Sequence, residues 1–269
     1  MLKESEMLPL RKSRITFAFK TEDIMTYGLI CAMPEEFGVL EKEIKNASTL
    51  SLYGRDFISG EIEGKSVVAV VSRIGKVAAA FTTAILIEKF KVDAVVFCGI
   101  AGGLGNKVKI GDIVIGEGCV QHDFYLADND IFRIPLLNIS NIPCDKSLSE
   151  KCLEAAESFC ESEKSAELCD FFKEIGVDSP SVHTGIIASG DQFISDSAKK
   201  AWIKEKIENV QCVEMEGAAV AQACFEAGVP CAVIRVISDC ADEGADVSFD
   251  KFVNASSLYS CAIIKELLK

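Results

Sequence analysis

Short, almost wholly apolar runs, separated by stretches with a helical pattern, constrain the fold of this chain more than any other feature. Three such runs are YGLICAM (27–33), DAVVFC (93–98) and CAVIRVI (231–237). A strand with one solvated face alternates apolar and polar residues, so continuous apolar runs indicate strands that are buried on both faces. Because helical patterns such as 76–90 lie between them, the sequence predicts an α/β fold. We expect a single-domain three-layer α/β sandwich with a central mixed sheet.

The length of the chain fits this prediction, because 269 residues is an ordinary size for one α/β domain. No internal repeat or low-complexity tract marks a second domain. Residues 1–25 contain the basic patch RKSR (11–14), and the apolar stretch after it is too short for a signal-peptide core. We therefore predict a flexible N-terminal extension over residues 1–25 and one folded domain over residues 26–269.

Charge and hydropathy exclude several classes of partner. The formal net charge of −13 gives an acidic surface, which disfavours both a nucleic-acid partner and binding to an anionic membrane surface. No apolar run reaches the roughly 18 to 20 residues that a membrane-spanning helix needs. The sequence predicts neither a nucleic-acid partner nor a membrane partner.

The 12 cysteines indicate a reducing compartment more than a metal site. No C-x-x-C pair occurs, and the chain has only two histidines, His122 and His183. Zinc sites need cysteine and histidine ligands at short spacings, so we expect no metal. Cysteines within apolar runs behave as small buried hydrophobic residues, which favours a cytoplasmic protein with free thiols.

Acidic residues collect where the predicted strands end. In open α/β sheets, ligands bind beyond the carboxyl ends of the strands, so these residues are candidates for one shared site. Phe193 follows one strand end, and Arg235 lies inside the last strand. The acidic residues at strand ends are Glu35, Glu36, Asp191, Glu214, Glu216 and Asp239.

Structural roles compete with functional ones at most of these positions. Glu35 and Glu36 lie in a first helical turn, where carboxylates favour the positive end of the helix dipole. Asp239 has the residue type of a helix cap or a turn former. Glu216 and Arg235 lie in apolar surroundings, and a buried charge needs a partner, so Glu36 or Glu216 is the expected partner of Arg235.

The glycine-rich segment GIAGG (99–103) is predicted to be a loop, because it contains too much glycine for a strand or a helix. It matches neither a dinucleotide-binding glycine motif nor a P-loop. A phosphate cradle and a close approach of the backbone to a neutral ligand both explain the glycines, and the local sequence leaves both readings open.

The sequence resembles the 5'-methylthioadenosine/S-adenosylhomocysteine nucleosidases of the purine nucleoside phosphorylase superfamily over residues 27–268. This resemblance implies a nucleoside phosphorylase-like fold, a homodimer, a cytoplasmic role in methionine salvage, an adenine thionucleoside as substrate, and no cofactor or metal. The blocks that carry it are AMPEEF (32–37), SRIGKVAAA (72–80), GIAGGL (99–104), KIGDIVI (109–115), HD (122–123), SGDQFI (189–194), VEMEGAAVA (213–221), RVISD (235–239) and SFDKF (248–252).

The resemblance also implies roles for individual residues. Glu36 is implied to activate the attacking water, and Asp239 is implied to protonate adenine at N7 so that the base leaves neutral. Carboxylates near the sugar would stabilise its oxocarbenium-like transition state. The residues implied to bind substrate are Glu216 at the ribose hydroxyls, Met215 at the sugar, Phe193 stacked on adenine, Ile194 at the base, Arg235 near the sugar and water, Ser238 beside Asp239, and Gly102.

Phosphorolysis is the closest alternative reaction. The phosphorylases of this superfamily place an arginine near the first-strand turn to bind phosphate, whereas this chain has Glu35 and Glu36 there. A carboxylate facing a phosphate dianion in a partly buried site would cost several kcal/mol, so hydrolysis is favoured.

Two segments depart from the family pattern and leave the 5'-substituent of the substrate open. Ile100 stands where the family has a small hydroxyl residue. The long loop over residues 123–145 does not align with the family loop that shapes the 5'-thio pocket, and Phe124, Tyr125 and Phe132 are its candidates for that pocket. Methylthioadenosine, S-adenosylhomocysteine, 5'-deoxyadenosine and a futalosine-type nucleoside all remain possible substrates.

Overall fold

A computed structural model of the chain describes residues 25–126, 131–173, 179–239 and 245–269. The predicted N-terminal extension, except for Met25, lies outside the described residues. The strands are β1 (Thr26–Cys31), β2 (Lys45–Leu52), β3 (Arg55–Ile62), β4 (Lys65–Val71), β5 (Ala94–Gly103), β6 (Ile113–Gln121), β7 (Ile142–Pro143), β8 (Val182–Ser189), β9 (Val210–Glu214) and β10 (Cys231–Asp239). The helices are α1 (Pro34–Glu43), α2 (Lys76–Phe90), α3 (Lys146–Cys160), α4 (Glu163–Phe172), α5 (Ser197–Lys206), α6 (Gly217–Ala227) and α7 (Ala245–Leu267).

The central strands are buried on both faces, as their continuous apolar runs predict. In β5, Val96 and Cys98 join the core that contains α1, α3 and α7. Their neighbours Val95 and Phe97 join a second core, on the side of α2 and α6. Because successive side chains of a strand point to opposite faces, one apolar strand serves two cores. The three-layer α/β prediction is confirmed.

The described strands form one mixed sheet in the order β10-β6-β8-β9-β5-β1-β4-β3-β2, with β7 paired to β6. β1 runs parallel to β4 and β5, whereas β3 runs antiparallel to β2 and β4. β10 also pairs with β5, so β5, β10, β6, β8 and β9 form a closed circuit. This closure brings the ends of β5, β9 and β10 together at one place.

One local prediction was wrong, and one strand was not predicted. The glycine segment 99–103 is not a loop but the second half of β5, because it pairs with β10 and then with β9. Strand β2 was missed because its side chains are almost all exposed, so the apolar pattern that marks the other strands is absent. Pairing with β3 fixes β2 as a strand despite its sequence.

The long loop after β6 folds back against α5. The Phe132 ring lies 5.7 Å from the Trp202 ring and 6.2 Å from the Tyr125 ring. Phe132 is buried in this cluster, and residues 127–130 are outside the described part of the chain. Within the described protomer the loop aromatics therefore build a small core with α5.

Helix α7 is the longest described helix and packs on β10, α1 and α3. Its residues Phe252, Tyr259 and Ile263 belong to the first core. Within the described ranges, no helix is both long enough and apolar enough to cross a membrane.

Candidate active site

A cavity of about 620 Å³, including its open mouth, lies where the carboxyl ends of β1, β5, β8, β9 and β10 meet. Each of these strands, or the segment that follows it, contributes to the wall, which is the arrangement expected for open α/β sheets. The lining residues are Ala32, Met33, Glu36, Ile74, Ile100, Ala101, Gly102, Gln192, Phe193, Ile194, Val213, Glu214, Met215, Glu216, Ser238 and Asp239.

Three backbone amides hold the Glu36 carboxylate against one wall of the cavity. Its Oε2 accepts hydrogen bonds from Ala32 (2.8 Å) and Met33 (3.0 Å), and its Oε1 accepts one from Ile100 (3.0 Å). The bond to the Met33 amide at the start of α1 is also a helix-capping contact. Glu36 therefore both caps this helix and lines the cavity. An ionised carboxylate accepts about four hydrogen bonds, which leaves one acceptor position on Glu36.

Burial raises the pKa of Glu36, while Arg235 and the three amides oppose that rise. Glu36 is only 3% exposed. A raised pKa makes a carboxylate a stronger base, because its charged form is less well stabilised by water. Glu36 thus combines a fixed orientation, an open acceptor position and increased basicity.

The partner of Arg235 is Glu214, and the predicted partners, Glu36 and Glu216, were wrong. Arg235 Nη2 lies 2.5 Å from Glu214 Oε2, and both side chains are almost fully buried. The amides of Glu216 and Gly217 also donate to Glu214. Several charge-assisted hydrogen bonds offset the cost of burying this ion pair.

Close approach of charged side chains explains the first glycine of the segment 99–103. A Cβ at Gly99 would lie 2.6 Å from Glu36 Oε1 and closer still to Arg235 Nη1. These distances are shorter than Cβ atoms normally show, so any other residue here would displace the Arg235 guanidinium or the Glu36 carboxylate. The observation favours close packing against neighbouring groups over a phosphate cradle.

Glu216 precedes α6 at its N-terminal end and reaches across to the turn before α2. Its Oε1 accepts a hydrogen bond from the Gly75 amide at 2.8 Å. Burial, followed by the charge of Glu214, raises the pKa of Glu216 to about 8, while Arg235 and the Gly75 amide act in the opposite direction. Glu216 therefore changes charge near neutral pH.

Asp239 closes the opposite side of the cavity at the end of β10. The Ser238 hydroxyl donates to Asp239 Oδ2 at 2.7 Å and contacts the Ala101 carbonyl oxygen at 3.4 Å. Asp239 is opposite Gly102 on β5, and the register between these strands shifts just before it. Such irregularities re-aim side chains at the ends of strands, which places a buried carboxyl group at the cavity.

The comparisons with known proteins point to one family. The family profile described as "Phosphorylase superfamily" matches residues 26–269. The chain is 35% identical to a 5'-methylthioadenosine/S-adenosylhomocysteine nucleosidase of Bacillus thuringiensis subsp. konkukian, over 91% of this chain and 99% of that protein. The chain belongs to this nucleosidase family. The predicted resemblance is confirmed.

Solved structures agree with this nucleosidase assignment. The nucleosidase of Neisseria meningitidis, in complex with methylthio-immucillin-A, has a TM-score of 0.80 and 35% identity and covers 91% of this chain and 98% of its own. A futalosine hydrolase of Helicobacter pylori has a TM-score of 0.77 and 32% identity and covers 91% of this chain and 97% of its own.

The structure brings all but one of the predicted site residues of this nucleosidase family member to the cavity wall. The exception is Arg235, which is buried behind Glu214 and packs with its guanidinium 4.0 Å from the centre of the Phe97 ring. Phe193 is 45% exposed at the wall, whereas Ile194 is buried. The predicted residues on the wall are Glu36, Gly102, Phe193, Ile194, Met215, Glu216, Ser238 and Asp239.

Sequence reasoning placed Glu214 among the acidic residues at strand ends but gave it no specific role, and it did not single out Ile74. Glu214 ends a short strand, and its position two residues before Glu216 was the available signal. Ile74 lies in the block SRIGKVAAA and lines the cavity with 56% of its surface exposed. The loop candidates Phe124, Tyr125 and Phe132 do not line the cavity of the described protomer.

The raised pKa of Glu216 predicts a pH-dependent effect on stability. Between the ordinary pKa of a glutamate and about pH 8, Glu216 is ionised in the unfolded state but holds its proton in the folded state. Stability is therefore lost as pH rises through this window. We expect Glu216→Gln to raise Tm by roughly 2 to 6 °C at pH 9 and by much less at pH 5. Thermal melts at both pH values measure this, and a Tm gain equal at both would contradict it.

Proposed function

We propose that the chain hydrolyses the N-glycosidic bond of 5'-methylthioadenosine and S-adenosylhomocysteine, releasing adenine and the thioribose. The observation that carries this proposal is the buried Glu36 carboxylate, held by three amides at the cavity wall with one acceptor position left. A passive binding pocket for a neutral nucleoside has no need of such a base. The nucleosidase family and the bound analogue in the Neisseria relative support the choice of substrate.

The proposed reaction runs between two carboxyl groups. Asp239 supplies a proton to N7 of adenine, so that the C–N bond breaks with a neutral base as leaving group. Glu36 takes a proton from water as the water oxygen bonds to the anomeric carbon. General acid and general base catalysis each contribute typically 10²- to 10⁴-fold to rate. No metal or organic cofactor takes part in these steps.

The other wall residues bind the two halves of the substrate in this proposal. Glu216 accepts hydrogen bonds from the ribose hydroxyls, and Met215 packs against the sugar. Phe193 stacks on adenine with Ile194 and Gly102 beside the base. Two further residues act indirectly: Ser238 orients Asp239 through its 2.7 Å hydrogen bond, and Arg235 holds Glu214 near the sugar and the water.

The charge of the cavity favours hydrolysis over phosphorolysis. Four carboxyl groups, of Glu36, Glu214, Glu216 and Asp239, line the wall. Arg235, a cation whose charge acts on Glu36 and Glu216, is already paired with Glu214. A phosphate dianion placed here would face the Glu36 carboxylate, which has no cation paired with it in the described part of the chain, whereas a cationic sugar transition state would be stabilised.

We also propose that the protein is a homodimer. Large apolar side chains are exposed beside the mouth of the cavity on α2 and the preceding turn: Ile74 (56%), Val77 (82%) and Phe81 (44%). The ring of exposed Tyr53 stacks edge-on against Phe81 at 5.4 Å and extends this surface. A contiguous exposed apolar surface of this kind is typical of a protein interface.

For residues 26–269, the proposed nucleosidase domain, we propose a cytoplasmic role in methionine salvage. The cysteines described in the structure are free thiols, and nearly all of them are buried. Free thiols persist in reducing compartments, which supports this location.

Release of adenine in phosphate-free buffer is the experiment that tests the proposed reaction. Purified protein is expected to release adenine from 5'-methylthioadenosine at full rate without phosphate. The same assay over S-adenosylhomocysteine, 5'-deoxyadenosine, futalosine and inosine ranks the 5'-substituents and bases, with the futalosine-type substrate included because of the Helicobacter relative. Strict dependence on phosphate would contradict hydrolysis, and preference for inosine would contradict the adenine assignment.

A further inference from the structure

A partly buried ion pair joins the loop after β6 to the first turn of α2. Asp123 Oδ1 lies 2.5 Å from Lys76 Nζ, and both side chains are less than 20% exposed. Asp123 Oδ2 accepts a hydrogen bond from the Asp191 amide at 2.8 Å. Asp191 Oδ1 in turn accepts from the Lys76 amide at 2.9 Å. We call these three residues, Lys76, Asp123 and Asp191, the Asp123 clamp.

Each side of the Asp123 clamp leads directly to the cavity. Next to Lys76 is Gly75, whose amide donates to Glu216. Next to Asp191 are residues 192–194, which line the other side of the cavity. The clamp therefore connects Gly75, whose amide donates to Glu216, with the wall segment 192–194.

The electrostatics of the clamp favour a fixed geometry. Burial would raise the pKa of Asp123, but the Lys76 ammonium and the Asp191 amide together hold it below its ordinary value. Lys76 Nζ also donates to the Gln121 side chain at 3.1 Å. An ion pair that is shielded from solvent and supplemented by further hydrogen bonds is less screened by salt than a surface pair, and it fixes the position of both segments.

The buried side chain of His122 supports the same turn from behind. His122 is fully buried, and its ring lies so close to Gly190 that a Cβ at this position would require the ring to move. The Ser189–Asp191 turn is thus held between the His122 ring and the Asp123 carboxylate.

We propose that Asp123 is a positioning residue that, through Lys76 and Asp191, sets the separation between Glu216 and the 192–194 segment. This inference rests on the proposed function, because it assigns the ribose to Glu216 and the adenine to residues 192–194. A substrate that spans both sides has its glycosidic bond held in line with Asp239 and Glu36 only when this separation is fixed. Free adenine occupies one side only and does not depend on it.

The clamp has a consequence for the pH profile. The Gly75 amide lowers the pKa of Glu216, and the other charged groups that face Glu216 are Glu214, Arg235 and Glu36. When Lys76 loses its anchor, the turn relaxes and the Gly75 hydrogen bond weakens. The pKa of Glu216 then rises further, so the acid limb of kcat/KM moves to higher pH. If the clamp only supported the fold, breaking it would not move the acid limb of kcat/KM.

Kinetics of Lys76→Met, Asp123→Asn and the double variant test the proposal. We expect each single change to lower kcat/KM for 5'-methylthioadenosine by about 10- to 100-fold, as small displacements of reacting groups do. The double variant is expected to be no less active than the less active of the two single variants, because both changes break the same Lys76–Asp123 ion pair. The acid limb is expected to move upward, and the Kd of adenine to change less than about threefold.

Two further variants separate positioning from folding. Lys265→Met removes another lysine that lies 2.5 Å from a carboxylate, that of Glu43, and neither residue lines the cavity. This variant is expected to leave kcat/KM unchanged. Lys76→Arg keeps the charge and is expected to restore most of the loss seen in Lys76→Met. Circular dichroism and thermal melts confirm that each variant is folded.

Several outcomes would contradict the positioning role proposed for Asp123. These are additive losses in the double variant, an unmoved acid limb, adenine affinity falling as far as kcat/KM, or the same loss in Lys265→Met. A wild-type protein that fails to release adenine from any nucleoside in the panel would instead contradict the proposed function.

Discussion

Glu36→Gln is expected to lower kcat for 5'-methylthioadenosine by about 10³- to 10⁴-fold, near the upper end for loss of a general base. The dissociation constant of a substrate analogue is expected to change much less. Glutamine retains the shape of glutamate but does not take a proton from water. Pre-steady-state kinetics and calorimetric titration of a methylthioadenosine analogue measure the two quantities separately.

The hydrogen bonds of Glu36 add a stability effect to this prediction. Three backbone amides donate to the carboxylate, two to Oε2 and one to Oε1. A glutamine amide accepts at one oxygen only, so one backbone amide would face another donor. A buried unsatisfied donor costs about 1–3 kcal/mol, so we expect a lower free energy of unfolding as well.

Glu35→Gln is the matched control for Glu36→Gln. Glu35 is the neighbouring residue on α1, is exposed to solvent and does not line the cavity. Its substitution is expected to leave kcat and analogue binding unchanged. Equal losses in the two variants, or loss of analogue binding with kcat retained in Glu36→Gln, would contradict the role of Glu36 as base.

Asp239→Asn is expected to lower kcat by about 10²- to 10⁴-fold, the usual range for a general acid. Asparagine keeps the position of Asp239 and retains an oxygen for the Ser238 hydroxyl, but it carries no transferable proton. Adenine then has to leave as an anion, which is a poor leaving group. Steady-state kinetics with 5'-methylthioadenosine measure the loss.

A substrate with a better leaving group isolates this proton transfer. A nitrophenyl glycoside of the same thiosugar releases nitrophenolate, a stable anion that leaves without being protonated. The Asp239→Asn variant is therefore expected to lose far less activity towards it than towards the adenine nucleoside. Equal losses on both substrates would mean that Asp239 binds or orients the substrate and does not act as an acid.

The sequence predicts the helices and the central strands well where local patterns and burial agree. The apolar helix over residues 76–90 has the predicted bounds, and residues of its apolar pattern such as Ala79, Leu86 and Ile87 are buried. Segment 99–103 shows the opposite case. Its glycines disfavour a strand locally, yet two neighbouring strands hydrogen-bond to it, and tertiary pairing overrides the local preference.

The residues of the site were predictable from the sequence, but the contacts between them were not. The rule that ligands bind at strand ends collected Glu36, Glu216 and Asp239 at one cavity. The identity of the Arg235 partner depends on how β9 and β10 lie across β5, which no local pattern encodes. The hydrogen bond from Gly75 to Glu216 joins residues 141 positions apart and likewise required the fold.

The most direct test of the account is the identity of the sugar product when the reaction runs in H₂¹⁸O with inorganic phosphate present. If Glu36 activates water, mass spectrometry of product trapped at early times will show free thioribose with ¹⁸O at C1 and no sugar 1-phosphate. Formation of a thioribose 1-phosphate without ¹⁸O would contradict hydrolysis.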